Sequence, residues 1–344
     1  MHLTQLRIHT LSLLAFGLIL LTAFKPSTFE LGIGITNGMD DANRAKRADL
    51  VLCGWEIKAS MSVARSRPAA AVVNDRVYVI GGEGSAGSYE RTTEEYNPAD
   101  NTWATKALKP TGVSNIGAGV INDKIYVPGG YKGFAVSVVE VYDPALESWS
   151  TVAPLPTAQF AQAVAVVNDK LYVVGGNNGS NYTSSCYVYD PSGNSWSSCA
   201  SMTYARGYAG AGVVNGKIYV VGGMASSTND LDYVEEFDPV ANTWQTVEPL
   251  GTARSGPGVV GFGNYLYVCG GGWSSPLASC VRYAPGTNTW ASFSSMNIGR
   301  RTFGLVETNG KLFAEAGYKE GYSADNEENA LTTCNLIHLP IIIR

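Results

Sequence analysis

Two adjacent glycines and a later tryptophan recur along this chain at a nearly constant interval. Steps of 46 to 48 residues separate five glycine pairs, a degraded sixth pair at Ala316–Gly317, and six of the seven tryptophans. The repeat positions are Gly81–Gly82, Gly129–Gly130, Gly175–Gly176, Gly222–Gly223 and Gly270–Gly271 for glycine, and Trp55, Trp103, Trp149, Trp196, Trp244 and Trp290 for tryptophan. A repeat of about 40 to 50 residues indicates an array of equal units and suits a four-stranded propeller blade.

Each unit divides into four strands. In the third unit, "AQAVAVV" precedes a hairpin turn at Asn168–Asp169, and "KLYVVGG", "SSCYVYDP" and "NSWSSCAS" follow. Asn-Asp and Asn-Gly pairs tolerate the positive φ that a two-residue hairpin requires. Small side chains on the first strand suit the crowded centre of a ring, and the tryptophans suit the wide spaces between blades. A composition with 39 glycines, 19 tyrosines and only 15% charged residues also favours an all-β protein.

The unit resembles the repeat of the kelch β-propellers. The matching signature is a glycine pair, an aromatic residue before a turn and then tryptophan, as in "YVVGG…YDPSGNSW". The resemblance covers roughly residues 51–340, with five well-kept repeats of six, and implies a six-bladed kelch-type propeller. Kelch propellers include enzymes, peptide-binding adaptors and glycan-associated proteins, so the fold does not fix the function.

The two ends of the repeat region complement each other. Trp55 precedes every glycine pair, whereas no tryptophan follows Ala316–Gly317. We therefore expect "CGWEIKAS", from Cys53, to be the outer strand of the blade whose other three strands come from residues 300 to 340. The tail "IHLPIIIR" is expected to end the third strand of that blade.

The N-terminal segment has the pattern of an export signal. Arg7 precedes the uncharged run "LSLLAFGLILLTAF", which is short for a membrane-spanning helix. We predict a signal peptide or short anchor at 1–25, a linker at 26–50, the propeller at 51–340 and a tail at 341–344. The protein is then secreted, periplasmic or on the cell surface, and contacts a membrane only if the segment stays uncleaved.

The predicted export permits disulfides among the six cysteines. Pairing Tyr189 with Trp196 across a hairpin turn puts Cys186 opposite Cys199. Cys269 and Cys280 flank one loop and are a second candidate disulfide. The alternative is buried free thiols. Cys53 and Cys334 lie on neighbouring strands of the closing blade, but the same register leaves them several residues apart, so we predict no bridge there.

Loops between blades and loops after the glycine pairs share one face, where functional residues are expected. Arginine recurs nine residues before the hairpin turn, where it either binds a carboxylate at the channel mouth or packs within the blade. The candidate arginines are Arg65, Arg206, Arg254 and Arg300, with Arg301 beside the last; Val113 and Gln159 occupy the position in the other two units.

Aromatic residues that leave the repeat occur in the same loops. Trp273 is the one tryptophan that does not follow the repeat spacing. Together with Tyr89, Tyr131, Phe134, Tyr182, Tyr318 and Tyr322 it forms a candidate stacking surface for a sugar or peptide, or these rings fold back onto the propeller. Glu315 stands where other units have apolar residues, so it is a candidate proton-transfer group, an ion-pair partner, or a sign of repeat decay.

Several classes of function lack the necessary residues. The chain has only three histidines, His2, His9 and His338, which argues against a copper radical site and a Ser-His-Asp triad. No cysteine or histidine spacing suggests zinc, and we expect neither a metal nor a cofactor. A net charge of −5 without a basic run argues against nucleic acid.

Three hypotheses remain. The favoured one is an exported, monomeric binding module that recognises a glycan or a protein through the arginine and aromatic face. The second is a carbohydrate-active enzyme similar to the kelch-type N-acetylneuraminate epimerases, with Arg206, Arg254, Arg300 or Arg301 holding the sugar carboxylate and Glu315 moving a proton. The third is a structural surface scaffold.

Overall fold

The computed structural model describes residues 47–52, 54–226, 229–331 and 335–340. Within these ranges, six four-stranded antiparallel sheets surround a central channel. Their innermost strands contact one another in a closed cycle, in which the first also contacts the last. The six-bladed propeller predicted from the repeat is therefore confirmed.

Every blade is built from strands in the same radial order. The innermost strands are β3 (Ala69–Val73), β7 (Gly119–Ile121), β11 (Ala163–Val167), β15 (Gly210–Val214), β19 (Gly258–Phe262) and β23 (Gly304–Thr308). The second strands are β4 (Arg76–Ile80), β8 (Lys124–Pro128), β12 (Lys170–Val174), β16 (Lys217–Val221), β20 (Tyr265–Cys269) and β24 (Lys311–Glu315). The third strands are β5 (Thr93–Asn97), β9 (Val139–Asp143), β13 (Cys186–Asp190), β17 (Val234–Asp238), β21 (Cys280–Ala284) and β25 (Asn326–Ala330).

The outermost strand shows how the ring closes. In the first five blades this strand follows directly along the chain, and in blade six it is β2 from the N-terminal side, with Trp55 opposite Asn329. The predicted strand exchange is therefore confirmed. The outermost strands are β6 (Thr102–Thr105), β10 (Ser148–Val152), β14 (Ser195–Ser198), β18 (Thr243–Thr246), β22 (Thr289–Phe293) and β2 (Trp55–Lys58).

One further pair of strands lies outside the blades. β1 (Arg47–Leu52) pairs antiparallel with β26 (Asn335–Pro340), with Leu52 opposite Asn335. The prediction that "IHLPIIIR" ends the third strand of blade six was wrong, because that strand ends at Ala330 and residues 335–340 form β26, which pairs with β1. β1 also begins inside the segment predicted as a linker. Residues 1–46 and 341–344, where the signal and tail predictions fall, lie outside the described residues.

Hairpin chemistry and small residues explain the inner half of each blade. Asn168 and Asp169 have φ of 51° and 56°, and the equivalent pairs of the first two blades are also left-handed. On the inner strands, a Cβ at Gly210 or Gly258 would overlap Val259 or Leu305 of the neighbouring blade. Small side chains therefore let six strands approach one another around the channel.

The glycine pairs join each blade to the next. The second glycine of each pair donates its N–H to the carbonyl at the arginine position of the following blade, as from Gly223 to Arg254 at 2.7 Å and from Gly317 to Arg65 at 2.9 Å. Both residues of a pair have positive φ, such as 60° and 107° at Gly81 and Gly82. Left-handed backbone without a Cβ beside the incoming carbonyl favours glycine at these positions.

The repeat tryptophans join the outer halves of adjacent blades. Each repeat tryptophan donates its indole N–H to a carbonyl just after the outermost strand of the preceding blade, as from Trp103 to Ala59 at 2.7 Å and from Trp196 to Ala153 at 2.8 Å. Trp55 does the same across the closure, to Ser294 at 2.8 Å. The six apolar clusters of the core each combine residues of two adjacent blades. The core of this protein therefore lies between its blades.

Among the described residues, two disulfides are present, at the predicted pairs. Cys186 and Cys199 join β13 to the segment after β14, with Cα atoms 5.1 Å apart. Cys269 and Cys280 are directly opposite in the β20–β21 ladder, with Cα atoms 4.1 Å apart. Cys53 and Cys334 lie outside the described residues. In the part of the chain that the structure describes, no helix has the length and apolar character needed to cross a membrane.

Candidate functional site at the mouth of the channel

Two sets of loops meet on one end of the propeller, which we call the mouth face. In five blades the residue after the glycine pair forms a short bridge with the residue that leads into an inner strand, as Glu83 does with Ser66 and Tyr318 with Arg301. In blade five, Gly272 donates its N–H to the Ser255 carbonyl at 3.0 Å. These short bridges hold the loops after the glycine pairs against the connections between blades. The mouth face is therefore an ordered surface built from six equivalent loop pairs.

A closed ring of backbone hydrogen bonds surrounds the channel mouth. The residue two positions after each arginine position has φ between 49° and 63°. Its N–H donates to the carbonyl of the equivalent residue in the preceding blade, at 2.7 to 3.0 Å. The six ring residues are Arg67, Asn115, Ala161, Tyr208, Gly256 and Thr302. Their side chains, which differ from blade to blade, start at fixed points around the mouth.

The repeat arginines lie inside the blades. Arg65, Arg206 and Arg300 are fully buried. Each pairs with a buried glutamate on the third strand of its own blade, as Arg65 does with Glu94 at 2.7 Å and Arg206 with Glu235 at 2.5 Å. The carboxylate-binding role expected for these side chains does not fit this placement, because they already have an internal carboxylate and no access to solvent. They take the alternative packing role.

Arg254 has no such glutamate. Its guanidinium donates to the carbonyl of Gly270 at 2.8 Å and to the carbonyl and hydroxyl of Ser279 at 2.7 and 2.9 Å. Burial lowers the pKa of Arg254 to about 10. Since the side chain is only 2% exposed, it also belongs to the blade interior rather than to a ligand site.

Arg301 is the predicted arginine that reaches the mouth face. Its guanidinium lies over the rings of Trp273 and Tyr318, 4.2 and 4.5 Å from their centroids. Its Nε has no hydrogen-bond partner, and no ion pair joins it to a carboxylate of the described residues. Two aromatic rings thus hold a half-buried cation that has no ion-pair partner among the described residues, and such a cation attracts an anion.

A second arginine lies beside this cation. Arg67 is ion-paired with Glu83, which also accepts a hydrogen bond from Tyr322 at 2.9 Å. The guanidinium of Arg67 is 5.8 Å from the ring centroid of Trp273. Burial, and then the positive charge of Arg67, lower the pKa of Arg301. An anionic ligand would relieve that repulsion.

Trp273 is fixed from two sides. Its ring centroid lies 5.0 Å from that of Tyr208, and its backbone N–H donates to the Asp230 carboxylate at 3.1 Å. Asp230 also accepts a hydrogen bond from Ser255. Burial raises the pKa of Tyr208 to about 12, so this phenol stays neutral at physiological pH. Asp230 thereby positions the off-repeat tryptophan against Arg301.

Two cavities open at the mouth and share residues. One, of about 100 Å³, lies at the ring and is lined by Arg67, Asn115, Gln162, Tyr208 and Phe303, among others. The other, of about 420 Å³, extends over blades one to four. Arg67, Asn115 and Tyr208 line both. The two cavities are therefore adjacent, and Arg301 and Trp273 lie beside them without lining either.

The other predicted aromatics divide between this region and its surroundings. Tyr131 lies between Tyr89 and Phe160, with ring centroids 5.9 and 4.9 Å away, and all three line the larger cavity. Tyr182 contacts the backbone beside Tyr208 at Gly207. Phe134 is 61% exposed at a loop tip.

Glu315 is completely buried at the end of β24 and lines neither cavity at the mouth. Burial raises its pKa well above the usual value, an effect that Arg300 partly offsets. Both carboxyl oxygens lack hydrogen-bond partners. Burial thus favours the neutral acid, and the side chain is not exposed at the mouth.

Several residues of this region escaped the sequence analysis. Arg67, Asn115 and Tyr208 occupy the ring position, and aligning the six repeats two residues after the arginine would have shown how widely that position varies. Asp230 carries no signal in the sequence, because its role depends on a loop of the next blade. Among the described residues, no group of three His, Cys, Asp or Glu side chains could ligate a metal ion.

The architecture is that of a six-bladed propeller with a concave mouth. The family model of the KLHDC2/KLHL20/DRC7 Kelch-repeats domain matches residues 120–317, and that of the Kelch motif matches residues 64–107. Since the first match covers more than half of the chain, this protein belongs to the kelch-repeat family.

Similar proteins agree with that assignment. The chain is 38% identical over 74 residues to an F-box/kelch-repeat protein of Arabidopsis thaliana, covering 21% of this chain and 20% of the relative. It is 35% identical over 82 residues to human Kelch-like protein 38, covering 24% of this chain and 14% of the relative. The matches thus span a small part of both relatives.

A solved structure entitled "Structure of YjhT" superposes with a TM-score of 0.70 at 18% identity, covering 81% of this chain and 99% of the other. This likeness concerns the fold alone.

Proposed function

We propose that this protein is an exported binding module that captures a carboxylate-bearing glycan or protein partner on its mouth face. The observation that carries the proposal is the Arg301 guanidinium, which lies over Trp273 and Tyr318 without a carboxylate partner. A carboxylate would pair with this guanidinium by accepting charge-assisted, bidentate hydrogen bonds from it. Arg67 adds positive potential, and the aromatic walls offer contact area for the rest of the ligand.

The buried arginines sharpen this proposal. Arg206, Arg254 and Arg300 stabilise the blades, so Arg301 alone of the predicted set is available to a ligand. Glu315 is enclosed and lines neither mouth cavity. The geometry therefore favours binding over the epimerase alternative, whose proposed proton-transfer group has no access to the substrate.

The test is a thermal-shift assay of the full chain with D-glucuronate, N-acetylneuraminate and triglycine as carboxylate probes. A ligand at a hundredfold excess over its dissociation constant stabilises the native state by about 2.7 kcal/mol, which raises the melting temperature. We expect a shift with at least one probe and its loss in Arg301→Gln, since glutamine cannot provide the charge.

Arg282→Gln is the matched control. Arg282 also lies over an aromatic ring, that of Tyr265 at 4.8 Å, but beside the hairpin turn of blade five and away from the mouth. This variant should keep the full ligand shift. A shift retained in Arg301→Gln would place the anion elsewhere, and no shift with any carboxylate would favour the scaffold hypothesis.

Export is the second part of the proposal. It is supported by the N-terminal pattern of a charged residue before a short apolar run, and by two disulfides that an oxidising compartment would maintain. We expect the exported chain to be shortened by cleavage near Ala23. The mass of the intact protein from the extracytoplasmic fraction checks this, and recovery of the full-length chain only from the cytoplasm would contradict it.

A further inference from the structure

A disulfide closes the loop that carries Trp273. Cys269 ends β20 and Cys280 begins β21, and the two residues lie directly opposite each other in the ladder. Their disulfide therefore closes residues 270–279, which we call the blade-five loop. Trp273 lies within this loop, and the Arg301 guanidinium is 4.2 Å from the centroid of its ring. One covalent bond thus stands at the base of the segment that supports the cation.

Arg254 crosses the base of the same loop. Its guanidinium donates to the carbonyl of Gly270, the first residue of the loop, and to the carbonyl and hydroxyl of Ser279, the last. These two residues are the chain neighbours of the two cysteines. Without the disulfide, non-covalent contacts alone hold the two ends of the loop together.

The blade-five loop also fixes the backbone of the neighbouring blade. Gly271 donates its N–H to the carbonyl of Arg300 at 2.9 Å, and the N–H of Arg300 donates to the carbonyl of Leu277 at 3.1 Å. Arg301 is the next residue in the chain. The loop therefore positions both partners of the cation–ring contact, Trp273 directly and Arg301 through the backbone of Arg300.

The two disulfides occur in the two blades whose third strand lacks a buried glutamate. In the other four blades this glutamate pairs with a buried cation, and the residues are Glu94, Glu140, Glu235 and Glu327. The residues in the same ladder register are Tyr187 in blade three and Val281 in blade five. A disulfide thus cross-links the blades that have no such ion pair. In these two blades the internal cross-link depends on the oxidation state of the chain.

Closing the blade-five disulfide requires an external oxidant. The thiolate of one cysteine attacks a sulfur of an external disulfide, forms a mixed disulfide and displaces a first thiol. The thiolate of the second cysteine then attacks the mixed disulfide, which forms the Cys269–Cys280 bond and displaces a second thiol. Two electrons and two protons pass from the protein to the external disulfide, and a dithiol reverses the exchange. Compartments outside the cytosol favour the oxidised form.

We infer that the Cys269–Cys280 disulfide positions the anion contact, so that Trp273 is held against Arg301 in the oxidised chain and released in the reduced one. A loop that is ordered before binding does not use part of the binding free energy to become ordered. Reduction therefore weakens the capture of a carboxylate. The effect on affinity rests on the proposed function, whereas the order of the loop can be measured without a ligand.

The test variant is Cys269→Val with Cys280→Val. It gives blade five the directly opposite valine pair that blade four has at Val221 and Val234, so the strands keep apolar side chains at this position. By hydrogen exchange with mass spectrometry, we expect faster exchange across residues 270–279 than in the parent. By calorimetric titration with D-glucuronate, N-acetylneuraminate and triglycine, we expect about tenfold weaker binding of each probe that the parent binds.

Cys186→Val with Cys199→Val is the matched control. It removes the other disulfide, whose cysteines are 13 residues apart against 11 in blade five. Blade four again supplies the replacement pair, since Val247 donates its N–H to the carbonyl of Val234 as Cys199 does to Cys186. Both variants should lose melting temperature to a similar extent, because the chain lengths that the two disulfides close are similar. The control should keep the parent affinity and the parent exchange of the blade-five loop.

The control chain also allows the disulfide to be opened and closed. Prepared under dithiothreitol and then oxidised with glutathione disulfide, it should gain about tenfold in affinity, with alkylation and intact mass counting the thiols. Loss of the thiols without a change in affinity or in loop exchange would overturn the inference.

The remaining outcomes separate this inference from the proposed function. Parent-like affinity and loop exchange in Cys269→Val with Cys280→Val would overturn the inference and leave the proposed function intact. Equal losses of affinity in the test and control variants would also overturn it, because both disulfides would then act through overall stability. If the parent binds no carboxylate, the proposed function fails, and loop exchange alone decides whether the disulfide positions Trp273.

Discussion

At the scale of single residues, the internal ion pairs show that the buried cation of a blade can come from more than one position in the repeat. Blades one, four and six use an arginine and a third-strand glutamate, both buried. In blade two, Val113 replaces the arginine, but Glu140 remains. Lys109, four residues earlier and fully buried, pairs with Glu140 instead. The position of the cation changes while the charge balance of the blade is kept.

This substitution leads to a rescue experiment. Lys109→Ala should lower the free energy of unfolding by about 3–5 kcal/mol, because it leaves the Glu140 carboxylate buried without a cation. Adding Val113→Arg should restore part of the loss, since arginine at this position reaches the same glutamate in three other blades. Chemical denaturation of both variants measures the effect.

A surface pair provides the control for this experiment. Lys170 and Asp190 pair at 2.9 Å with side chains 46% and 38% exposed. Lys170→Ala should cost less than about 1 kcal/mol, because water already solvates both charges. If Lys109→Ala is equally mild, Glu140 has become neutral or hydrated, and the interpretation of the ion pair is wrong.

At the scale of elements, the second strand of blade six differs from its five counterparts. Its last residue is Glu315, where the others have isoleucine, proline, valine or cysteine. β24 nevertheless keeps the same register with β23 and β25, so the carboxyl group lies opposite Gly304 and Asn326. The strand therefore forms although it buries the polar side chain of Glu315. The charged neighbours of this carboxyl group are Arg300 and Glu94.

The raised pKa of Glu315 predicts how stability depends on pH. The folded state binds this proton more tightly than the unfolded state, so the stabilisation is complete below the unfolded pKa. This stabilisation is lost as the pH rises toward the pKa of Glu315 in the folded state, by up to about 1.4 kcal/mol per pH unit for one group. Glu315→Gln should therefore be more stable than the parent at pH 8 and show a flatter profile between pH 5 and pH 8. Thermal unfolding across that range measures the difference.

Glu320→Gln, a change in an exposed glutamate, should leave the parent profile intact. A Glu315→Gln variant that is less stable than the parent at pH 8 would show that the ionised carboxylate contributes to folding. Its charge would then be balanced within blade six.

At the scale of the whole molecule, stability depends on a ring that must be closed. Five blades have all four strands consecutive in the chain, whereas blade six receives β2 from the other end of the propeller. β2 contributes four ladder pairs, Trp55 bonds to Ser294, and the mouth ring is completed by the bond from Arg67 to Thr302 at 2.7 Å. No turn ties this strand to its neighbour.

We therefore expect the ring to open first at blade six. Native-state hydrogen exchange should show lower opening free energies for amides of β2 and β25 than for the ladders of blade three, where the Cys186–Cys199 disulfide joins the two outer strands. Equal protection in blades three and six would mean that the propeller opens only by global unfolding. The closure would then be as strong as a covalent turn.

The fold was predictable because its signals are local and repeated six times. Three signals recur along the repeat, and each marks a backbone geometry or a packing position. They are the hairpin turn, as at Asn168 and Asp169, the glycine pair and the regularly spaced tryptophan. The disulfides followed from the register of one hairpin and the length of one loop. The strand exchange was predictable from the number of tryptophans and glycine pairs. Trp55 precedes the first glycine pair, and the last unit has no tryptophan of its own.

The site depended on tertiary structure. The sequence places Arg300 and Arg301 side by side, but only the fold turns Arg300 toward Glu327 inside the blade and Arg301 toward Trp273 at the mouth. Asn115 and Gln162 come from different blades and line one cavity only when the ring is closed. Sequence by itself determined how many blades form and how they close, because backbone propensity acts within a unit. Tertiary structure decided which side chains are buried and which reach the mouth, because the mouth is assembled from loops of all six blades.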